Sequence, residues 1–247
     1  MIPRVIISGF LAAAVLAAIP LQAGDKTEHG FVNKVFKGKD GESKYVLFVP
    51  HDYKADKDYP LILFLHGAGE RGDDGQKPVQ QGIGNAIKFK NGEKKFPCFV
   101  IFPQCSAKGT WKAGGPDADR ALAILDEVQK TYKIDANRVY LTGLSLGGMG
   151  TWSLAAANPD RWAAIVPICG GGDPATASKI KDIPCWCFLG SNDGQKLADS
   201  TRGMVEALKK AGGNPRYTEF PYVGHNSWDP AYATQELYPW LLAQKRK

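Results

Sequence analysis

Short apolar runs alternate with amphipathic segments along most of the chain, from Tyr45 onward. Six of the runs have the length and residue content that are typical of β-strands, and residues 216–220 complete the set as a seventh strand. The predicted strands cover residues 45–49, 61–65, 99–102, 139–142, 164–168, 185–189 and 216–220. Because the later runs are continuously apolar, we expect central strands that are covered on both faces.

Between the strands, apolar residues recur every three or four positions, which indicates helices that bury one face. The pattern is clearest at Ala121, Leu122, Leu125, Val128 and Tyr132. Residues 148–158, 200–211 and 232–242 are predicted as further helices. Alternating strands and helices predict an α/β fold, in which helices cover both faces of a mostly parallel sheet. Sheets of this kind bind ligands at the carboxyl ends of their strands.

The composition is that of an ordinary globular protein. The 247 residues are 44% hydrophobic and 23% charged, which fits one domain with a sizeable core. The net charge is +6, but the lysines are dispersed and no basic stripe is interleaved with aromatic residues. We therefore expect no nucleic-acid partner. The composition leaves the oligomeric state open.

The N-terminus has the pattern of a secretory signal. Arg4 precedes an uncharged apolar stretch over residues 5–21, and Ala23-Gly24 offers a small-residue cleavage site. A membrane anchor is the alternative, although the stretch is short for one. We expect a signal peptide over residues 1–23, a single catalytic domain over residues 24–247, no stable membrane anchor, and a secreted or periplasmic protein.

The chemistry-bearing residues show no pattern for a metal or cofactor. The five cysteines are an odd number, so at least one is unpaired within the chain, and they lack CxxC spacing. Most are expected to be small buried residues. Since no His, Asp and Glu cluster has ligand spacing, we expect a site that needs neither metal nor cofactor.

A G-x-S-x-G sequence lies between the predicted strand 139–142 and the predicted helix 148–158, with Ser145 at its centre. The strand–turn–helix context is the one in which such a serine becomes an exposed nucleophile. Gly143 and Gly147 meet the steric demand of the turn, and Gly148 allows the helix to pack closely. A glycine-rich turn that contains a serine by chance is the alternative.

A serine nucleophile needs a base and an acid that orients the base. Of the four histidines only His225 follows Ser145, and in this fold the base comes last along the chain. The acid should follow the strand 185–189, where Asp193 is the only carboxylate before the next helix. Asp199 and Asp173 remain alternatives.

Two backbone amides are expected to form an oxyanion hole. One is the amide of Leu146, which directly follows Ser145. The other lies in the small-residue loop after the strand 61–65, where we select Ala68. His66 precedes this hole and is expected to brace the loop.

These motifs resemble those of compact, secreted α/β-hydrolase esterases. The group includes polyhydroxybutyrate-depolymerase-like, phospholipase/carboxylesterase-like and dienelactone-hydrolase-like proteins, and is loosely assigned to the prolyl-oligopeptidase family. The resemblance rests on LHGAGERG at 65–72, GLSLGG at 143–148, PICGGGD at 167–173 and GHNSW at 224–228, and it covers about residues 45–242. It implies a triad of Ser145, Asp193 and His225, and an oxyanion hole at Ala68 and Leu146. The chain departs from the pattern after the acid, where Gly194-Gln195-Lys196 replaces a hydrophobic residue and a proline.

The connection over residues 169–184 is too short for a cap domain, so we expect an open site. Trp111 and Trp228 are the candidate aromatic walls. The expected activity is hydrolysis of acyl or aryl esters, as small molecules or on bulky or polysaccharide carriers. A serine peptidase and a non-catalytic binding protein of the same fold are the alternatives.

Overall fold

The computed structural model describes residues 28–39, 41–89 and 92–246, and its centre is one eight-stranded sheet. The predicted signal peptide lies outside these residues. The spatial order of the strands is β1-β2-β4-β3-β5-β6-β7-β8, in which the β1–β2 and β2–β4 pairs are antiparallel and the other five pairs are parallel. The strands are β1 (Gly30–Gly38), β2 (Gly41–Val49), β3 (Tyr59–Leu65), β4 (Phe99–Pro103), β5 (Ile134–Leu144), β6 (Ala164–Ile168), β7 (Trp186–Gly190) and β8 (Arg216–Phe220). The mostly parallel sheet is confirmed.

The helices pack on both faces of this sheet, as the alternating pattern predicts. They are α1 (Gly82–Phe89), α2 (Pro116–Thr131), α3 (Leu146–Ala157), α4 (Ala177–Ile180), α5 (Gln195–Lys210), α6 (Trp228–Ala233) and α7 (Leu237–Ala243). One core lies between the sheet and α2, α3 and α5, while the other includes residues of α1, α6 and α7. Alternate residues of β3 enter the two cores, because side chains of a strand point to opposite faces. None of the described helices is long and apolar enough to cross a membrane.

Two helix predictions are corrected by the structure. Helix α5 begins at Gln195, not at residue 200, and the single helix expected over residues 232–242 is two helices. The break has a local cause. Pro239 has no backbone N–H and would clash with the carbonyl of residue 235 in one continuous helix. The chain therefore leaves α6 at Thr234 and begins α7 at Leu237, with Pro239 in its first turn.

The corner between β5 and α3 is packed backbone against backbone. A β-carbon placed on Gly147 would lie 1.9 Å from the carbonyl oxygen of Leu65, at the end of β3. One placed on Gly143 would lie 2.4 Å from the carbonyl oxygen of Gly147. Only glycine permits this approach, which brings the start of α3 directly against the end of β3.

The loop after β3 is held by a buried histidine. With its proton on Nδ1, His66 donates to the carbonyl of Gly67 at 2.6 Å, and its Nε2 accepts the N–H of Cys105 at 3.0 Å. Its own carbonyl accepts the indole N–H of Trp111 at 3.0 Å. Burial lowers the pKa of His66 to about 4, so the ring is neutral at pH 7. His66 thus ties the loop to the segment after β4, which is the bracing position expected for it.

Gln104 and Asp117 extend this bracing. Gln104 donates from Nε2 to the carbonyl of Glu70 at 2.9 Å and accepts the N–H of Gly75 at 2.6 Å. Asp117, in the first turn of α2, accepts the N–H and the hydroxyl of Ser106 at 3.0 and 2.9 Å. The loop after β3 is therefore fixed to the loop after β4 by hydrogen bonds at several points.

Replacing Gly147 with alanine should destabilise the protein by about 3 kcal/mol, since the new methyl group meets a backbone carbonyl that cannot rotate away. Gly203, in α5, is the matched control, because a β-carbon there meets nothing within 4 Å. Gly203→Ala should raise stability by up to about 1 kcal/mol through helix propensity. Urea unfolding of both variants measures the difference, and equal effects would contradict the packing described for this corner.

The buried His66 should make stability depend on pH. Its pKa is lower in the folded chain (about 4) than in the unfolded chain (about 6.5), so its contribution is present above pH 6.5 and lost as pH falls through 4. Between pH 7.5 and 5.0 the loss should be about 2 kcal/mol. His66→Asn should be less stable at pH 7.5 but should lack this part of the pH slope. A variant with the same slope as the wild type would show that another group titrates.

Candidate active site

Ser145 lies at the tip of the turn between β5 and α3. Its φ of 54° is in the left-handed region, which is a strained conformation for a residue with a side chain. Its N–H donates to the carbonyl of Ile168 at 2.9 Å, so the next strand holds the strained backbone in place. The turn therefore presents the Ser145 hydroxyl at the carboxyl end of the sheet.

His225 approaches this hydroxyl from the loop between β8 and α6. Its Nε2 lies 2.8 Å from the Oγ of Ser145, and its side chain is 43% exposed. The other three histidines have different partners. His29 lies beside the carbonyl of Pro50, His51 lies beside Glu93, and His66 holds the loop after β3 as described above.

Asp193 follows β7, and both of its carboxylate oxygens lie 3.0 Å from the Nδ1 of His225. The carboxylate is 3% exposed and also accepts the N–H of Gly194 at 2.7 Å. The two alternative acids are engaged elsewhere. Asp199 lies in α5 and accepts from Gln195 at 2.7 Å, while Asp173 accepts the N–H of Ala175 at 3.0 Å.

The arrangement of these three side chains defines a direction for proton transfer. A carboxylate beside Nδ1 favours the tautomer that carries its proton on Nδ1, because that N–H can then donate to it. The lone pair of Nε2 is left facing the Ser145 hydroxyl. Such an imidazole can accept the proton of the hydroxyl as its oxygen attacks an electrophile.

The two predicted oxyanion residues begin helices beside Ser145. Leu146 is the first residue of α3, and Ala68 is the first residue of a 3₁₀ helix, Ala68–Glu70. The first amides of a helix have no acceptor within it. The loop comes close to Ser145, since a β-carbon on Gly67 would lie 3.7 Å from the Cβ of Ser145. Both amides are thus at hand for an anion that forms on a bound substrate.

Glu70, which belongs to the LHGAGERG motif, is a carboxylate in the wall of this loop. It accepts hydrogen bonds from the backbone of Gly67 and from its own amide, and burial raises its pKa above the ordinary value. A β-carbon on Gly67 would lie 3.1 Å from one of its oxygens. The Glu70 carboxylate therefore stabilises the loop by accepting hydrogen bonds from the loop's own backbone amides.

Cys169 is a residue whose position the sequence did not reveal. It follows β6 with a φ of 40°, and it is fully buried. Its sulfur, a carboxylate oxygen of Asp193 and a ring nitrogen of His225 all lie within 4.8 Å of one another. Burial raises the pKa of its thiol to about 12. The expectation that the cysteines are small buried residues holds for all five, and none forms a disulfide.

A groove of about 510 Å³ opens beside Leu146. Most of its surface is apolar, and Met149, Gly150, Trp111 and Trp152 contribute to its lining. This volume is within the range of small-molecule pockets, roughly 300–1,000 Å³. The connection from β6 to β7 contains only a 3₁₀ turn and α4, so no cap domain is inserted there.

The two predicted aromatic walls occupy different environments. Trp111 lines the groove, although its ring is almost fully buried and its N–H is bonded to His66. Trp228 is half-buried, is not among the residues that line the groove, and packs edge-on against His225 with 5.5 Å between ring centres. Trp111 thus belongs to the groove and Trp228 to the surroundings of the imidazole.

Comparison with known proteins agrees with this geometry. Residues 107–187, which include the Ser145 turn, match the prolyl oligopeptidase family of peptidases. The chain is 32% identical over 137 residues to a bifunctional acetylxylan esterase/xylanase of Neocallimastix patriciarum, across 54% of this chain and 19% of that protein. It is 27% identical to a probable feruloyl esterase C of Aspergillus niger, across 75% of this chain and 68% of that protein.

The fold is also that of a solved esterase. The crystal structure of a thermostable esterase superposes with a TM-score of 0.79 at 37% identity, over 87% of this chain and 63% of that one. The chain therefore spans less than two thirds of this structure and about a fifth of the acetylxylan esterase/xylanase. The sheet topology and these comparisons show that the chain has the α/β-hydrolase fold, and the proteins to which it is similar include named esterases.

Proposed function

We propose that the protein is a serine hydrolase that cleaves carboxylic esters through an acyl-enzyme on Ser145. The observation that supports this most directly is the contact of 2.8 Å between His225 Nε2 and Ser145 Oγ, with Asp193 on the far nitrogen of the same ring. In this proposal Ser145 is the nucleophile, His225 the general base and Asp193 the group that orients it.

The reaction follows from the positions of the protons. Ser145 Oγ attacks the ester carbonyl carbon while its proton passes to His225 Nε2. The tetrahedral adduct expels the alcohol, which takes that proton, and leaves the acyl group on Ser145. Water then repeats the sequence with His225 as base and releases the acid. Asp193, held by the Gly194 amide, stabilises the imidazolium that forms in each half.

The amides of Ala68 and Leu146 are proposed as the oxyanion hole. Each begins a helix and so has an N–H without an intrahelical acceptor. Two preorganised donors of this kind contribute roughly 3 kcal/mol or more to acyl transfer. His66 would contribute indirectly. Its ring binds the Gly67 carbonyl and so keeps that oxygen away from the developing negative charge.

The proposed substrates are acyl or aryl esters, free or attached to bulky or polysaccharide carriers. The apolar groove at Leu146 and Met149 suits the apolar part of such an ester, with Trp111 in its wall, and Trp228 is proposed as a second contact beside His225. The absence of a cap over the β6–β7 connection, within the described residues, suits a large carrier. The acetylxylan and feruloyl esterases among the relatives act, by their names, on esters of this class.

A serine peptidase is the second candidate, and the match to the prolyl oligopeptidase family favours it. The same three side chains serve both reactions. p-Nitrophenyl acetate, butyrate and octanoate, methyl ferulate and aminoacyl-p-nitroanilides separate the two. We expect turnover of the esters and none of the anilides; cleavage of anilides alone would refute the ester assignment.

Residues 1–23 are proposed as a signal peptide, which would make the protein secreted or periplasmic and residues 24–247 its single catalytic domain. The charge pattern around Arg4 and the apolar stretch that follows support this proposal. N-terminal sequencing of the protein recovered from the producing cells tests it.

Ser145→Ala should abolish ester hydrolysis, with a loss of kcat of at least about a thousandfold, while the melting temperature stays close to that of the wild type. His225→Ala should be similarly severe, because the three residues act as a unit. Steady-state kinetics on p-nitrophenyl acetate with freshly purified variants measures this. Retention of a tenth of wild-type kcat by Ser145→Ala would remove Ser145 as the nucleophile.

The acid is tested by three matched Asp→Asn substitutions. Asp193→Asn should lower kcat on the order of a thousandfold, because an amide no longer fixes the proton on Nδ1 of His225. Asp199→Asn and Asp173→Asn should leave kcat within about twofold, as both side chains bond to other groups. A larger loss in either control than at Asp193 would reassign the acid.

Trp228→Ala should raise KM for methyl ferulate about fivefold, since a lost aromatic contact is worth about 1 kcal/mol. The kcat on p-nitrophenyl acetate should change little, because the reacting atoms are untouched. Both constants are measured on both esters, together with a melting curve. A uniform fall in kcat with a lower melting temperature would instead mean that Trp228 supports His225 and does not contact the substrate.

A further inference from the structure

Three potential metal-ligand atoms, a sulfur, an oxygen and a nitrogen, lie close together on the buried side of His225. The sulfur of Cys169, a carboxylate oxygen of Asp193 and a ring nitrogen of His225 lie within 4.8 Å of one another. No other group of three His, Cys, Asp or Glu side chains in the described part of the chain is so close. The proposed triad includes Asp193 and His225, but the proposed hydrolysis assigns no role to the Cys169 thiol.

The thiol is held in this place by its backbone. Cys169 has a φ of 40°, and its N–H donates to the carbonyl of Phe188 at 2.9 Å, so the side chain is fixed between β6 and β7. The hydroxyl of Ser227 lies beside the sulfur, is fully buried, and makes no hydrogen bond of standard geometry within residues 28–39, 41–89 and 92–246. The sulfur therefore belongs to a small buried polar cluster.

We propose that Cys169, Asp193 and His225 form a binding site for Zn²⁺ and that zinc bound there inhibits the enzyme. Sulfur, imidazole nitrogen and carboxylate oxygen are the three ligand types that zinc takes in proteins, at about 2.0–2.3 Å. Ligands of a tetrahedral zinc ion are then about 3.3–3.8 Å apart. Side-chain movements of about an ångström would bring the three atoms from their present separations to that geometry.

The nitrogen that binds zinc is Nδ1, since it already faces the Asp193 carboxylate at 3.0 Å while Nε2 faces Ser145. An imidazole with a metal on Nδ1 carries its remaining proton on Nε2. The thiol loses its proton to solvent on binding, so one proton leaves for each zinc ion bound. The Nε2–H can donate a hydrogen bond to Ser145, but Nε2 has no lone pair left to accept the Ser145 proton. His225 can then no longer act as the general base.

Zinc reaches the site from the side of His225. The thiol and the carboxylate are buried, but the imidazole is 43% exposed, and its ring can admit an ion by a small rotation. This inhibition rests on the proposed function, in which His225 is the base. Binding itself does not, and the two are therefore tested separately.

The inhibition test follows hydrolysis of p-nitrophenyl acetate in a non-chelating buffer as Zn²⁺ is raised, with each protein normalised to its own activity without zinc. In the wild type we expect kcat to fall at unchanged KM, and EDTA to restore it. Cys169→Ala should need more than roughly tenfold more zinc for the same inhibition, because a ligand is lost. His51→Ala, which removes a surface histidine beside Glu93, should respond as the wild type does.

The binding test uses Co²⁺ as a spectroscopic substitute for zinc and needs no activity. Ser145→Ala loaded with Co²⁺ should show the near-ultraviolet absorption of a cobalt–thiolate bond, and the double variant with Cys169→Ala should lack it. A band that persists in the double variant, no band at all, or equal zinc inhibition of Cys169→Ala and the wild type would overturn the proposal. A band in Ser145→Ala together with no measurable esterase activity in the zinc-free wild type would keep the site and refute the proposed function.

Discussion

The contact between the Leu65 carbonyl and the backbone of Gly147 is the constraint on which the site depends. It joins the end of β3 to the start of α3 without any intervening side chain. Since Ser145 precedes that helix and Gly67 follows that strand, one contact sets the distance between the proposed nucleophile and the loop of the proposed oxyanion hole. The strained φ of Ser145 is held from the other side, by the hydrogen bond from its N–H to the carbonyl of Ile168 at the end of β6.

His66 and His225 differ in burial and in the groups that their ring nitrogens face. His66 is enclosed, its pKa is lowered to about 4, and both ring nitrogens are used in hydrogen bonds to the backbone. It therefore acts as a neutral structural link. His225 is nearly half exposed, and its two nitrogens face an acid and a hydroxyl. In the proposed mechanism His225 exchanges a proton with Ser145, whereas both ring nitrogens of His66 are committed to the hydrogen bonds that hold the loop.

The sequence predicts the parts of this molecule that depend on local pattern. The seven strands from residue 45 onward and the Ser145 turn follow from runs of apolar residues and from glycine spacing, so these predictions needed no tertiary information. β1 was not predicted, because an edge strand with alternating exposed residues has no continuous apolar run. The break before α7 does not follow from the apolar periodicity, which continues across it; Pro239 is the local signal for the break.

Positions that arise from distant parts of the chain could not be predicted in the same way. Ser145, Asp193 and His225 were selected by their order along the chain, but the distances between them come from the stacking of β5, β7 and β8. The role of Gln104 in the loop after β3 depends on contacts between loops after different strands, and nothing in its local sequence indicates it. The position of Cys169 is also of this kind, since it lies near His225 only because the sheet packs β6 beside β7 and β8.

An open site has a chemical consequence beyond access for a large substrate. A buried imidazole is shielded from ions by the cost of removing their hydration. The His225 ring has no such shield on its exposed side, and the atoms behind it are a carboxylate and a thiol. The geometry that, in the proposed function, lets a carrier-borne ester reach Ser145 therefore also lets a hydrated cation reach the ring. Replacing the thiol at residue 169 would remove the soft ligand of the proposed cation site while leaving His225 and Asp193 in place, so the proposed ester site and the proposed cation site can be separated by one substitution.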